Sequence, residues 1–130
     1  MEQIYDIFQT ADWKQEKHVP VIEVPESFLK GEKIDLKICI GKEIPHPNTT
    51  DHHIEWLDVY FHPTGENFPY HLGKFDFSAH GSSTNGPDTS TIYTHPQTNL
   101  VFSTEKPGKI IVFSYCNIHG LWMNEKQISL

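Results

Sequence analysis

Apolar and polar residues alternate with a period of two along several short stretches of the chain. Over residues 33–40 the apolar side chains occupy every second position, and this alternation predicts a strand with one buried face. Cys39 falls on the opposite face together with Lys37, so we expect its thiol to be half exposed. The apolar positions of this strand are Ile34, Leu36, Ile38 and Ile40.

A second strand is predicted over residues 52–61, where successive side chains should point to opposite faces. One face would carry Leu57, Val59 and Phe61, and the other Ile54, Trp56 and Tyr60. The same pattern predicts four further strands, over 72–77, 100–104, 109–115 and 122–130. Residues 105–108 contain Pro followed by Gly, a turn signal that predicts a β-hairpin between the strands on either side.

Short strands separated by Gly, Pro and Asn turns, with no long helical pattern, predict an all-β antiparallel sandwich. A short helical turn is expected within residues 1–20, and the polar segment 81–88 is expected to be a solvated loop. No internal repeat or linker divides the sequence, so residues 1–130 are expected to form a single domain.

Charge and composition narrow the possible functions. The formal net charge of −7 argues against binding to nucleic acid or to a membrane surface, since both favour a basic face. No apolar stretch has the length of a signal-peptide core or of a membrane span, so a cytoplasmic location is expected. Cytosolic thiols are normally reduced, and we therefore expect no disulfide between Cys39 and Cys116.

Histidine is unusually frequent, with nine residues in a chain of 130, and it is the commonest protein metal ligand. Five of the nine occur in three segments that also hold charged residues or a cysteine. These segments are 16–20 with His18, 46–53 with His46, His52 and His53, and 116–120 with Cys116 and His119. The remaining histidines have no partner at ligand spacing and are assigned to surface or structural roles. They are His62, His71, His80 and His95.

Cys116 and His119 are three residues apart just after a predicted strand, where a tight turn would aim both side chains at one point. Gly120 would let the backbone reverse closely behind them. A thiolate with an imidazole suits iron, copper or zinc rather than magnesium or calcium. A short motif of this kind is nonspecific by itself.

The segment 46–53 adds candidate ligands to this pair. His46 lies between two prolines and so has a stiff, extended backbone. His52 and His53 should point to opposite faces, so only one of them can be a ligand, and periodicity does not decide which. The simpler interpretation is that these are solvated loop histidines, and that His18 lies in a solvated charged turn.

Three longer motifs change the weight of these observations. They are EKHVPVIE at 16–23, GKEIPHPNTTDHHIEWLDVYF at 41–61 and SYCNIHGLW at 114–122. In this order they resemble the superoxide reductases of the desulfoferrodoxin and neelaredoxin family. The resemblance extends from about Trp13 to the C-terminus. It implies an immunoglobulin-like sandwich of about seven strands and a mononuclear iron with an open sixth position. The ligands it implies are His18, His46, His52 and His119 in the equatorial plane and Cys116 on the axis.

The resemblance also implies the activity, which is the reduction of superoxide to hydrogen peroxide as iron cycles between Fe2+ and Fe3+. Lys17 and Glu16 would lie near the open position, and Glu16 would bind the iron in its oxidised state only. A rubredoxin-type protein would return the electron, and the short single-iron class, to which the length and two cysteines point, is often tetrameric. The positive charge of Lys17 would attract superoxide to the site, although the chain as a whole carries a net negative charge.

Other functions fit parts of the pattern. A blue-copper electron carrier also uses a β-sandwich with a Cys and a His on a C-terminal loop, and Met123 would then be its axial ligand. Such a copper site has no need of His18 or of both His46 and His52. A zinc-stabilised binding module would normally hold its metal with four ligands rather than five. A sandwich without metal is the third alternative.

Overall fold

The computed structural model describes residues 7–130, in which seven strands form two antiparallel sheets. The predicted all-β sandwich of about seven strands is confirmed. Any part of the predicted helical turn within residues 1–6 lies outside the described residues, and residues 12–16 form a turn. The strands are β1 Val21–Glu23, β2 Ile34–Cys39, β3 Ile54–Pro63, β4 Tyr70–Asp76, β5 Gln97–Phe102, β6 Gly108–Cys116 and β7 Gly120–Ile128.

One sheet has the strand order β1-β2-β5 and the other β4-β3-β6-β7. In the constant-type immunoglobulin arrangement, the fourth strand belongs to the sheet of the first, second and fifth strands. Here β4 pairs with β3 instead, and the four-stranded sheet is the larger one. The short strand β1, which was not predicted, pairs with β2 from Val21 opposite Cys39 to Glu23 opposite Lys37.

The predicted hairpin across residues 105–108 is wrong. β5 pairs with β2, whereas β6 pairs with β3 and β7, so this turn carries the chain from one sheet to the other. A Pro–Gly pair signals a reversal of the chain, but it does not specify which sheet receives the next strand. Gly108 is required for a different reason, because an added Cβ would overlap the carbonyl oxygen of His62 on the neighbouring strand.

The core lies between the two sheets and is built from alternating positions, as predicted for β2. Residues Leu36, Leu57 and Ile110 are fully buried, while Cys39 on the other face of β2 is only half buried and has a free thiol. Ile54 was expected on the face opposite Leu57, but it is buried on the same side. The pairing of β3 with β6 shifts register between Ile54 and Trp56, and the extra residue of this bulge reverses the alternation.

Three segments meet at one end of the sandwich. The loop 40–53 leads from the end of β2 to the start of β3, and the turn 117–119 joins β6 to β7. The segment before β1 is attached to the same end, because Ser114 Oγ donates to the His18 carbonyl at 3.0 Å. Asn124 Nδ2 donates to the Pro20 carbonyl at 2.9 Å. These segments contain the three histidine and cysteine clusters of the sequence.

No helix found in the described part of the chain has the length and apolar character needed to cross a membrane.

Candidate metal centre

Four imidazole rings form a closed cycle at this end of the sandwich. Their centroids are 4.8 Å apart between His18 and His46, and 4.9 Å apart between His46 and His52. The cycle closes through His119, which lies 5.0 Å from His52 and 4.7 Å from His18. The four sides are nearly equal, so the rings surround a common space. The structure thus brings together four histidines that are separated by up to 101 residues.

The sulfur of Cys116 belongs to the same cluster. One ligand atom from each of His18, His52, Cys116 and His119 lies within 4.8 Å of all the others. The Cys116 Sγ atom is 3.8 Å from His119 Nδ1, and His119 Nδ1 is 3.1 Å from His18 Nε2. Nitrogen and sulfur donors gathered in this way form a metal site with the chemistry of iron, copper or zinc.

Hydrogen bonds to the far sides of two rings fix their tautomers. His46 Nδ1 donates to the Pro47 carbonyl at 2.7 Å, and His18 Nδ1 donates to the Glu16 carboxylate at 2.6 Å. Each Nε2 atom is therefore left with a free lone pair, which is the arrangement that metal-binding histidines need.

The Nε2 atoms of His46 and His52 are buried and, within residues 7–130, have no hydrogen-bond partner. An unsatisfied buried polar atom costs free energy, and native proteins leave few of them. A metal ion accepting both lone pairs would remove this cost. The residues present therefore fit a bound metal.

Burial favours the neutral form of three of the four imidazoles. Desolvation lowers the pKa of His46 to about 4, and it lowers the pKa of His52 as well. Desolvation also lowers the pKa of His18, although the hydrogen bond to Glu16 acts in the opposite direction. Neutral imidazole is the form that binds metal, so these three histidines can bind a cation at neutral pH without first losing a proton.

Cys116 and His119 are placed by a tight turn between β6 and β7. Cys116 pairs with Gly120 across three intervening residues, and Gly120 has a φ of +80°, as its predicted role in reversing the backbone requires. The backbone N–H of His119 donates to the Cys116 sulfur at 3.4 Å. An N–H donor at this sulfur complements the negative charge that a metal-bound thiolate carries.

The site is buried on one side and open on the other. His18 is 5% exposed and Cys116 fully buried, but His119 is exposed and its neighbour Ile118 is 58% exposed. A small anion therefore has access to a metal held here.

Glu16 and Lys17 lie beside the cluster. Glu16 Oε1 accepts hydrogen bonds from both the backbone N–H and the Nδ1 of His18, so the carboxylate lies on the far side of that ring from Nε2. Lys17 is partly buried and forms no ion pair with any carboxylate of residues 7–130. After burial and the neighbouring histidines, its charge further lowers the pKa values of His46 and His52.

The structure separates His52 from His53, a choice that periodicity left open. The His53 ring faces away from the cluster and stacks on His80, with centroids 3.4 Å apart and planes 4° from parallel. Its Nδ1 donates to the Thr49 carbonyl at 2.9 Å. His62 and His71 also lie outside the cluster, where they bind the Glu66 carbonyl and the Asp58 carboxylate.

Two residues of β7 lie differently from what the sequence suggested. Trp122, which was not singled out, stacks on His18 with ring centroids 4.8 Å apart and planes 13° from parallel. Met123, the axial ligand of the copper alternative, lines an apolar depression with Phe8, Tyr60 and Phe113 instead. Because alternation places Trp122 and Met123 on opposite faces of the strand, the methionine does not reach the site.

The polar loop 81–88 is largely exposed, as predicted, but it also supports the metal loop. Asp88 Oδ1 accepts hydrogen bonds from the backbone N–H of Thr50 at 2.9 Å and from the Tyr93 hydroxyl at 3.2 Å. The Thr50 hydroxyl in turn donates to the His80 carbonyl at 2.6 Å. The segment between His46 and His52 is therefore anchored to a loop that composition alone marked as a solvated connection.

Comparison with known proteins agrees with this geometry. The family model described as Desulfoferrodoxin matches residues 10–125. The chain belongs to the desulfoferrodoxin family. Within the family, it is 54% identical over 122 residues to a superoxide reductase of Pyrococcus furiosus, covering 94% of this chain and 96% of that one. It is 45% identical over 125 residues to the neelaredoxin of Megalodesulfovibrio gigas, covering 96% of each.

Solved structures of the desulfoferrodoxin family have the same fold. The superoxide reductase (neelaredoxin) of Archaeoglobus fulgidus in its reduced form superposes with a TM-score of 0.88 at 56% identity, covering 95% of this chain and 99% of that one. At this level of similarity, the resemblance drawn from the three motifs is confirmed.

Proposed function

We propose that this chain is a superoxide reductase, in which superoxide, one electron and two protons give hydrogen peroxide. The observation that carries the proposal is the closed cycle of four imidazoles with a buried cysteine sulfur beside it, in a member of the desulfoferrodoxin family. Bound iron supplies the electron by passing from Fe2+ to Fe3+.

We infer five ligands for that iron. The donor atoms would be Nε2 of His18, His46 and His52, Nδ1 of His119 and Sγ of Cys116. Five donors exceed the four of a structural zinc site. The position of Met123 away from the cluster argues against a blue-copper site, which uses a weak axial ligand of that kind. Five protein ligands would leave a sixth position free for substrate, as a catalytic metal requires.

The charges of the ligands suit an anionic substrate. Four neutral imidazoles contribute no charge, and the Cys116 thiolate contributes a single negative charge against the two positive charges of Fe2+. The centre therefore keeps a net positive charge, which attracts superoxide. The backbone N–H of His119, which donates to the Cys116 sulfur, would stabilise the negative charge of a metal-bound thiolate.

Lys17 and Glu16 would act at the open position. The charge of Lys17, which forms no ion pair within residues 7–130, would draw superoxide toward the site and stabilise it there, against a net chain charge of −7. Glu16 would become the sixth ligand of Fe3+, because a carboxylate is a hard donor. That role requires Glu16 to release His18 Nδ1, which it holds in the present structure.

Two further elements, a rubredoxin-type electron donor and a homotetramer, are carried over from the family resemblance. A cytoplasmic location is kept from the sequence pattern. The exposed edge of His119 supports electron entry from a partner protein, since it brings the centre to the surface. The free thiols of Cys39 and Cys116 are compatible with a reducing compartment.

The reaction is tested by stopped-flow mixing of the Fe2+-loaded protein with superoxide. We expect one iron to be oxidised and one hydrogen peroxide to be formed for each superoxide consumed, with no dioxygen released. The zinc-loaded protein is the matched control, because it keeps the fold and site but has no electron to give, and it should form no peroxide beyond the buffer blank. Dioxygen released at half a mole per superoxide would identify a dismutase and contradict the proposal.

Replacement of Lys17 by alanine should slow the second-order reaction with superoxide by about threefold to tenfold at low ionic strength. The slope of the rate against ionic strength should also flatten, because salt screens the steering charge. Lys30→Ala is the control. This variant removes the same charge, but Lys30 lies in the loop before β2, at the opposite end of that strand from the loop that carries His46 and His52. If Lys17→Ala has the same second-order rate and the same dependence on ionic strength as the parent, Lys17 has no role in the mechanism.

Replacement of Glu16 by alanine should change the optical spectrum of the Fe3+ form, because the oxidised iron loses its sixth ligand. The rate of reaction of the Fe2+ form should remain within a few-fold of the parent, since the carboxylate is not bound in that state. Glu105→Ala, on the turn between β5 and β6, is the charge-matched control and should leave both quantities unchanged. An oxidised spectrum identical to that of the parent would count against the role of Glu16.

A further inference from the structure

The three inferred Nε2 ligands are not oriented in the same way. His46 is fixed by the Pro47 carbonyl and His18 by the Glu16 carboxylate, each through Nδ1. Within residues 7–130, the His52 ring makes no hydrogen bond through either nitrogen, and its Nε2 is buried. A ligand histidine normally gains its orientation from a partner on the second nitrogen. Among the groups of residues 7–130, the His52 ring is therefore oriented by its backbone and by packing against His46 and His119 rather than by a hydrogen bond to its second nitrogen.

One side chain holds the backbone on both sides of His52. Asn117 Oδ1 accepts from the backbone N–H of His53 at 2.9 Å. Its Nδ2 donates to the Asp51 carbonyl, also at 2.9 Å. The backbone N–H of Asn117 closes a third bond, to the His53 carbonyl at 3.2 Å. Asn117 thus contacts the residues immediately before and after His52.

The backbone of His52 itself is held by Thr49. The N–H of His52 donates to Thr49 Oγ1 at 3.1 Å, and the N–H of Thr49 donates to the His52 carbonyl at 2.9 Å. Every backbone group from the Asp51 carbonyl to the His53 carbonyl therefore has a partner. Thr49 belongs to the same loop as His52, whereas Asn117 lies on the other ligand turn. Asn117 therefore links this loop to the turn of Cys116 and His119, next to the pairing of Ile54 with Cys116 between β3 and β6.

We propose that Asn117 is a positioning residue that orients His52 and sets the spacing between its loop and the turn that carries Cys116 and His119. This inference rests on the proposed role of His52 as a metal ligand. Both ends of the Asn117 amide bind backbone groups, so we assign it no role as a ligand of the metal. It follows Cys116 directly, so a displacement of the Cys116 turn is passed to His52 through two side-chain bonds and one backbone bond.

The amide group explains why asparagine occupies this position. The two side-chain hydrogen bonds need an acceptor for the His53 N–H and a donor for the Asp51 carbonyl. Asparagine supplies both on a side chain of this length. Aspartate would keep the first bond but place an oxygen against the Asp51 carbonyl. Alanine would lose both side-chain bonds and keep only the backbone bond.

The test is cobalt(II) binding to the metal-free forms of the parent, Asn117→Ala, Asn117→Asp and Asn99→Ala. Cobalt is the probe because its visible bands report coordination number and geometry without any turnover. Loss of an outer partner of a metal site typically costs about 10- to 100-fold in affinity. We expect a loss of this size in Asn117→Ala, with altered visible bands. Asn117→Asp should lie between Asn117→Ala and the parent.

Asn99→Ala is the matched control, because Asn99 is an exposed residue of β5 in the other sheet, and it should bind cobalt like the parent. Hydrogen exchange of the His53 amide gives a second readout, and its protection should fall in Asn117→Ala. If Asn117→Ala fails to fold, Asn117→Asp still tests the inference, because it removes only one of the two side-chain hydrogen bonds.

Parental cobalt affinity and bands in either Asn117 variant that folds would overturn the inference. Failure of the proposed function gives a different result, since a parent protein that binds no cobalt would remove the metal site itself.

Discussion

The lone pairs of several imidazoles and the sulfur of Cys116 converge on one space at the end of the sandwich. Two of these nitrogens are buried and have no hydrogen-bond partner among residues 7–130. Without a cation, that arrangement costs desolvation free energy that nothing within the described chain returns. With a cation, the same atoms become its ligands, and metal binding is added to the stability of the fold. The constraint explains why three segments far apart in sequence are held so firmly to one end.

The rest of the structure supports this convergence from outside. Glu16 and the Pro47 carbonyl set the tautomers of His18 and His46, while Ser114 fixes the segment that carries His18. Asp88 supports the loop between His46 and His52 from a third side. The bulge at the start of β3 buries Ile54 immediately beyond His53, where an uninterrupted strand would have turned it outward. The ligand loops are therefore positioned both by the sheets and by hydrogen bonds from loop residues.

The sequence predicted the parts of the fold that follow from period-two alternation. The β2 pattern was right at every apolar position because that strand is regular and half buried. The hairpin before β6 was wrong because a turn signal does not encode strand pairing, and Ile54 was misplaced because a bulge leaves no mark in the pattern. Three residues of β1 are too few to show a period.

The same reasoning applies to the candidate site. The clustering of His18, His46 and His119 was visible as local motifs, and the choice of His52 over His53 came from family resemblance before geometry separated the two rings. The contributions of Trp122, Asp88 and Asn117 depend on contacts across strands and loops, which no local pattern contains. Asn117 stood inside a recognised motif, yet only the fold reveals that its amide spans both neighbours of His52.

The central claim is that iron is held by four nitrogens and one sulfur with one position open. X-ray absorption at the iron edge of the Fe2+-loaded protein tests this directly. The account predicts a shell of about four nitrogen scatterers near 2.1 Å and a single sulfur near 2.3 to 2.4 Å, by analogy with other imidazole and thiolate metal bonds. The sulfur should be lost in Cys116→Ser. A shell of light atoms alone, with no sulfur in the parent protein, would contradict it.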